Sequence, residues 1–396
     1  MLSAYTKQSK LVTLLNQTRE QIERLKNESY FCPACKQPLL IKNGKVKIPH
    51  FAHYNSNNCC VYSEGETYEH LVLKQAFANW CKKDAIPYEL EKYLSEVNQR
   101  PDLLVGKIAL EIQCSPLSVQ RLVERTKNYQ KYGYLPIWVC GKKLFSNQQI
   151  LGELGKNLCS YTETIGFHIW QADFETKELA LYFHLEEDWK KRIYYSRKSW
   201  TFHEEILTDI FNFPYKSNFF VQRKFEIGKL IQDYYFDLNR KLARRDEQIR
   251  NVQSVLYNNH CHLLELPIWF YYPGIRIFCC RGSDLLLKLR IWNWVQFFDQ
   301  NVFELAEFEL LIQKQIAGMK DLFYEFPSVS MKEIKKYCSN QLIMSLIDCK
   351  HLIVVQNGWK IVVGNKRLKQ TDLNQWVKSI EKKCLISAIP LRSVIR

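Results

Sequence analysis

Long apolar runs are missing: nowhere do about 18 consecutive apolar residues occur, so no transmembrane helix is expected. The first ten residues, MLSAYTKQSK, lack the apolar segment of a secretory leader. These absences predict a cytoplasmic protein with no membrane partner. A GxxxxGKS or GxxxxGKT phosphate loop and a GxSxG elbow are also absent, which weighs against an ATPase motor and a serine hydrolase. Acidic residues are in short supply, 41 against 56 Lys and Arg. The resulting net charge of +15 points to a polyanionic partner, nucleic acid first among them.

Cysteine, by contrast, is plentiful at 14 residues. A disulfide framework belongs to short secreted chains, whereas Cys114, Cys140, Cys159 and Cys349 lie in or beside apolar stretches and read as reduced, buried thiols. With 396 residues, 46% of them hydrophobic, the chain has enough material for two or three globular domains.

The segment Arg-Pro-Asp-Leu-Leu-Val-Gly-Lys-Ile-Ala-Leu-Glu-Ile-Gln-Cys, residues 100–114, organises the central part. Two apolar runs, Leu103–Val105 and Ile108–Ile112, flank Gly106-Lys107, and glycine first in a two-residue connection suits a type II′ hairpin. Counting outward pairs Val105 with Ile108, Leu104 with Ala109, Leu103 with Leu110 and Asp102 with Glu111. Alternation then puts Glu111 and Gln113 on one face together with Asp102. Two carboxylates opposed across a ladder repel, so the pattern suggests a cation between them or a raised pKa on one. In another register both would be solvated acids on an edge hairpin.

Helical spacing follows over Val119–Tyr132, with Ser115 and Ser118 as cap candidates and Gly133 as the stop. Leu135–Cys140 reads as a buried strand, Glu66–Cys81 upstream as a helix and Ile86–Leu94 as a strand. The order is α-β-β-β-α-β. On the upstream helix, Glu66, Glu69, Leu73, Ala76 and Trp80 share a side, while Glu66, His70 and Lys74 are linked by steps of four.

Cys32-Pro-Ala-Cys35 forms a knuckle able to present two thiolates to a tetrahedral Zn²⁺, and His50, His53, Cys59 and Cys60 compete for the remaining two places. His53 with Cys59 is preferred, with His50 or Cys60 as substitutes. The expected role of the zinc is structural.

An acid on the first helix, Asp102 on the second strand and Glu111-x-Gln113 on the third resemble the PD-(D/E)XK nuclease core, a restriction-endonuclease-like α/β fold. More specifically, six stretches resemble the competence protein CoiA family over about residues 25–145. They are Cys-Pro-Ala-Cys (32–35), His-Phe-Ala-His (50–53), Glu-His-Leu-Val-Leu-Lys (69–74), Arg-Pro-Asp (100–102), Glu-Ile-Gln-Cys-Ser-Pro-Leu-Ser (111–118) and Arg-Thr-Lys-Asn-Tyr (125–129). The resemblance implies action on incoming DNA during natural transformation of Gram-positive bacteria. It assigns the helix acid of a metal site to the Glu69-His70 motif, Glu69 being preferred.

On this reading Asp102 and Glu111, with Glu69 through water, hold one or two Mg²⁺ or Mn²⁺ ions that activate a water for in-line attack at phosphorus. Most of the wider superfamily has lysine where this chain has Gln113. Glutamine orients a water but carries no charge, which makes Lys74 or Arg125 the candidate for the missing cation. His70 is a candidate proton acceptor or donor, with a core histidine as the plainer reading. The alternative function keeps the fold without the reaction: a DNA-binding adaptor that assists recombination proteins on single-stranded DNA.

Residues 166–172 and 178–184 read as a second hairpin. Beyond Glu186, basic residues (Lys190, Arg192, Arg197, Arg223, Lys224, Arg240, Arg244, Arg245) mix with aromatics (Tyr194, Tyr195, Trp200, Phe219, Phe220, Tyr234, Tyr235). That mixture suits a single-strand-binding surface or, more blandly, an aromatic core under a charged face. Helix is expected over 228–265, 285–320 and 328–349, then a hairpin around Gln356-Asn357-Gly358, together resembling a winged-helix unit. The expected division is an N-terminal zinc-knuckle module (1–62), a nuclease-like domain (63–188) and a basic, mainly α-helical C-terminal domain (189–396).

Overall fold

A computed structural model describes residues 1–54, 59, 67–144, 150–216 and 226–364. The N-terminal part is a five-stranded antiparallel sheet built from β1 (Ser3–Thr6), β2 (Leu11–Thr13), β3 (Tyr30–Phe31), β4 (Pro38–Lys42) and β5 (His50–His53), in the order β2-β1-β3-β4-β5. Helix α1 (Arg19–Leu25) starts on a capping box between Thr18 and Gln21, which satisfies otherwise orphaned amides. Ala4, Leu14, Ile22, Tyr30, Leu39 and Phe51 form a small core under this sheet.

The central part begins with α2 (Tyr68–Lys83), capped by the Thr67 hydroxyl, which accepts from the His70 amide. Glu66, expected at the start of this helix, lies outside the described residues. β6 is only Glu89–Leu90, shorter than the expected strand, because Glu91 adopts a φ of +53° and turns out of the ladder. β7 (Leu103–Val105) and β8 (Ile108–Gln113) form the hairpin. α3 (Val119–Lys131) then crosses over to β9 (Leu135–Gly141), which runs parallel to β8, a pairing that needs such a crossover.

After α4 (Glu153–Asn157) and β10 (Ser160–Thr162), the sheet is extended by β11 (Gly166–Asp173), β12 (Glu178–Asp188) and β13 (Ile193–Thr201). Its order is β13-β12-β11-β9-β8-β7-β6, so it runs on past position 188. α5 (Leu207–Lys216) closes the α2 side, where Leu71, Phe77 and Trp80 pack with Leu110, Ile112, Val139 and Phe211.

The C-terminal region contains α6 (Ile227–Ala243), α7 (Glu247–Tyr257), β14 (Ile275–Arg276), α8 (Leu285–Gln296), β15 (Val302–Phe303), α9 (Leu305–Ala317), α10 (Met331–Asp348), β16 (Leu352–Val355) and β17 (Gly358–Ile361). The expected apolar helix over 285–320 is two helices, with Gln300 at a φ of +68° just ahead of the strand between them. The chain order from α8 to β17, with strand order β15-β17-β16, resembles a winged-helix unit.

α10 is not a free face: Lys336 pairs with Glu163, and the Tyr337 ring stands edge-on to Phe167 at 4.9 Å. A buried triad adds to this junction, with Glu187 Oε2 of β12 lying 2.7 Å from Lys156 Nζ of α4 and 3.0 Å from Arg276 Nη1 of β14. Trp200, Tyr234 and Tyr235 are core residues, and Arg192, Arg197 and Arg240 pair with Asp188, Glu178 and Asp237. Arg223, Lys224, Phe219 and Phe220 lie outside the described residues.

His168 on β11 is buried, its Nδ1 3.0 Å from the Gly166 carbonyl, and burial pushes its pKa down to about 4. A depressed folded-state value means stability that is fully present above the unfolded value near 6.5 and lost as pH falls towards 4, by roughly 3 kcal/mol. The urea midpoint of His168→Gln should therefore fall less steeply than the parent's across that window. Parallel curves would show that the ring does not stay neutral in the fold.

Candidate functional site

The β7–β8 ladder pairs Val105 with Ile108, Leu104 with Ala109 and Leu103 with Leu110, the register counted from the turn. Gly106 has a φ of +57°, as a type II′ turn needs at its first central position. The ladder ends at Leu103, so Asp102 and Glu111 do not form its next rung. Instead Asp102 Oδ2 accepts from the Ile112 amide at 2.9 Å and lies 3.0 Å from His70 Nε2, while Oδ1 is 3.0 Å from Lys74 Nζ. His70 and Lys74, one helical turn apart on α2, thus grip the same carboxylate. Burial opposes the ionised form of Asp102. The charges of His70 and Lys74, with the hydrogen bonds from His70 and Ile112, outweigh it and hold the carboxyl well below its ordinary range.

Glu111 is held from the α3 side. Its Oε1 accepts from Arg125 at 2.5 Å and from the Tyr129 hydroxyl at 2.7 Å, and Arg125 also lies over the Trp138 ring. Burial pushes this carboxyl up; Arg125 opposes the shift and the nearby charge of Asp102 adds to it. The two acids therefore sense one another electrostatically while being anchored by helices on different sides of the sheet.

The other expected residues point elsewhere. Glu69 Oε1 accepts from the Lys142 amide at 2.8 Å and packs on Gly141, where an added Cβ would come within 2.7 Å of it. The Gln113 amide donates to the Ser115 carbonyl at 2.7 Å. The structure brings together His70, Lys74 and Asp102, and separately Glu111, Arg125 and Tyr129.

Glu91 was missed by sequence reasoning. It is buried, accepts from Lys74 Nζ at 2.6 Å, and takes the amides of Leu2 at 2.8 Å and Ser3 at 2.9 Å. Nothing in its sequence context marks it, because Lys74 lies 17 positions away on another element and Leu2 and Ser3 lie 89 and 88 away. Tyr129 was legible as an apolar position of α3, and its hydroxyl contact was not.

A second cluster sits on the N-terminal sheet, where donor atoms of Cys32, Cys35, His53 and Cys59 all lie within 4.8 Å of one another. The knuckle is shaped by bonds from the Cys32 amide to the Gln37 carbonyl and from the Lys36 amide to the Cys32 carbonyl, with Lys36 at a φ of +58°. Cys35 Sγ is 3.3 Å from His53 Nε2. Burial, then Arg100, pushes the His53 pKa down, which favours the neutral imidazole that a metal ligand must be. Three thiols and one imidazole make the donor set of a tetrahedral structural metal. His50 turns its Nδ1 to the Ile48 carbonyl at 2.9 Å, and Cys60 lies outside the described residues. No second group of three or more such donors converges among the described residues.

The class defined by these features is a mixed α/β protein with a nuclease-like domain and a cysteine–histidine cluster ahead of it. The family model "Competence protein CoiA, nuclease-like domain" matches residues 66–214, and "Competence protein CoiA, N-terminal domain" matches residues 14–62. The chain belongs to the competence protein CoiA family. It is 31% identical over 156 residues to competence protein CoiA of Bacillus subtilis (strain 168). The alignment covers 38% of this chain and 39% of that protein, so it spans about two fifths of the curated relative. No solved structure matches. No described helix is long and apolar enough to cross a membrane.

Removing Arg125 would leave Glu111 buried without its cation, and breaking such a pair costs about 3–5 kcal/mol. Arg125→Ala should accordingly show a much lower urea midpoint, with Arg125→Lys retaining most of the stability. Equal midpoints for Arg125→Ala and the parent would mean that Glu111 is not ionised in the fold.

Proposed function

We propose that this chain is a metal-dependent DNA-processing protein of natural transformation whose central part is a PD-(D/E)XK-type nuclease core, acting on phosphodiester bonds of incoming, mainly single-stranded DNA in the cytoplasm. What carries the reading is the pair Asp102 and Glu111, each buried, each beside a cation, and close enough for one charge to shift the other. Carboxylate oxygens are the ligands that hard divalent cations take, and these two residues would hold Mg²⁺ or Mn²⁺. Once bound, such an ion supplies Lewis acidity and an acidified water.

The protein's own contribution is charge and order. Lys74 and Arg125 supply the positive charge that Gln113 lacks, and His70, hydrogen-bonded to Asp102, is placed to take up or return a proton. Cleavage of labelled single-stranded DNA is expected with Mg²⁺ or Mn²⁺ and not with EDTA. Asp102→Asn and Glu111→Gln, which keep side-chain shape, should each lower it by at least about a hundredfold.

A specific observation favours the second reading, a catalytically silent DNA-binding adaptor for recombination proteins: both acids already carry internal cations and are held from opposite sides of the sheet. DNA binding without cleavage by the parent, unchanged in Asp102→Asn, would establish the adaptor and remove the hydrolase.

In either case the Cys32, Cys35, His53 and Cys59 set holds a structural Zn²⁺ in an N-terminal module that cannot bury a large core. Elemental analysis of purified protein should give about one zinc per chain, lost in Cys35→Ser and kept in His50→Ala. Zinc retained in Cys35→Ser would refute this donor set.

A further inference from the structure

The N-terminal sheet has a second face that neither the cysteine–histidine cluster nor the acidic pair uses. Residues directly opposed across a ladder share a face. Leu11 opposes Tyr5, Tyr5 opposes Phe31, and Phe31 opposes Pro38, so a single row crosses four strands on the side away from the core of Ala4, Tyr30 and Leu39. Leu11 is 52% exposed, and Tyr5 and Phe31 are half-buried.

At this row lies a cavity of about 440 Å³ lined by Tyr5, Thr6, Lys7, Ser9, Phe31 and Lys36. The lining offers two aromatic rings, three hydroxyls and two ammonium groups, and no carboxylate. Lys10 closes the same turn, its amide bonded to the Thr6 hydroxyl. Among the described residues, none of Lys7, Lys10 and Lys36 has an acidic partner. Residues 1–54 hold nine Lys and Arg against three Glu.

Lys36 is not a loose side chain. It follows Cys35 in the knuckle, donates to the Pro33 carbonyl at 2.9 Å, and sits over the Tyr5 ring with its ammonium 5.1 Å from the centroid.

We propose that this face is a binding platform for single-stranded nucleic acid, with Tyr5 and Phe31 stacking on bases and Lys7, Lys10 and Lys36 engaging the flanking phosphates. The assignment rests on nucleic acid being the partner, as proposed above, and adds where the strand lies. A cavity of this size accepts a base, and rings beside ammonium groups are the chemistry of single-strand sites. A paired duplex has no free base face to offer them. A second copy of this chain would bring like charges together.

The test is fluorescence anisotropy of a labelled oligothymidylate with the full-length protein, across a salt series. Tyr5→Thr, which suits a strand, should weaken binding roughly tenfold, the loss of one stacked base. Lys7→Gln with Lys10→Gln, both exposed and unable to unfold the sheet, should flatten the plot of log affinity against log salt by about 1.4, the release expected from two single-strand phosphates. Duplex DNA should bind equally to parent and Tyr5→Thr. An oligouridylate bound as tightly would support the platform and show that it does not select the sugar.

Unchanged single-strand affinity and salt slope in both variants, while the parent still binds or cleaves DNA, would overturn this site and leave the wider reading standing. A parent that binds no oligonucleotide would sink both. A dimer in sedimentation that Tyr5→Thr dissociates, with no change in DNA affinity, would reassign the face to self-association.

Discussion

One buried ammonium group holds three parts of the fold in register. Lys74, 1% exposed, reaches from α2 to Asp102 at the mouth of the β7–β8 hairpin and to Glu91 behind it. A lone charge so far from water would cost several kcal/mol, which only close carboxylates can offset. Glu91 in turn accepts from the Leu2 and Ser3 amides and from the Ser3 hydroxyl, so the first strand of the N-terminal sheet docks on the same cluster. Helix, hairpin and N-terminal strand are thereby tied to a common electrostatic centre. The geometry of Asp102 cannot change without consequences for all three.

The same centre explains why the two acids behave differently. Asp102 is surrounded by donors, the Lys74 ammonium among them, and stays ionised against the cost of burial. Glu111 meets one guanidinium and one phenol in a drier setting, and burial dominates there. The repulsion expected from two carboxylates in neighbouring positions is thus relieved by separate cations from α2 and α3. Nuclease and adaptor readings differ in whether those cations assist a bound metal ion or replace it.

Much of this was legible in the sequence. Gly106 after an apolar run gave the turn, and the turn set the register to the residue. Steps of four put His70 and Lys74 on one side of α2, and both reach Asp102. Cysteine spacing with His53 and Cys59 anticipated the donor cluster. What stayed hidden was long-range: the partnership of Glu91 with Leu2 and Ser3, the turning of Glu69 to the Lys142 amide, and the packing of Tyr234 and Tyr235 of α6 against Tyr271. Periodicity reports which side of an element is apolar, and it cannot report what that side meets. A residue such as Glu91, with a left-handed backbone, also breaks the local pattern from which strands are read.

The packing of the C-terminal region bears on how the protein is handled at the bench. Phe167 of β11 meets Phe278, Phe326 and Tyr337 at 4.9–5.0 Å between ring centres, beside the buried Lys156–Glu187–Arg276 triad. A fragment trimmed to the family-matched residues 14–214 would bare this aromatic surface, strand Glu187 without its arginine and deprive Glu91 of the first β-strand. Such a fragment is predisposed to aggregate. Inactivity measured on it would describe clumped polypeptide rather than the chemistry of the intact chain.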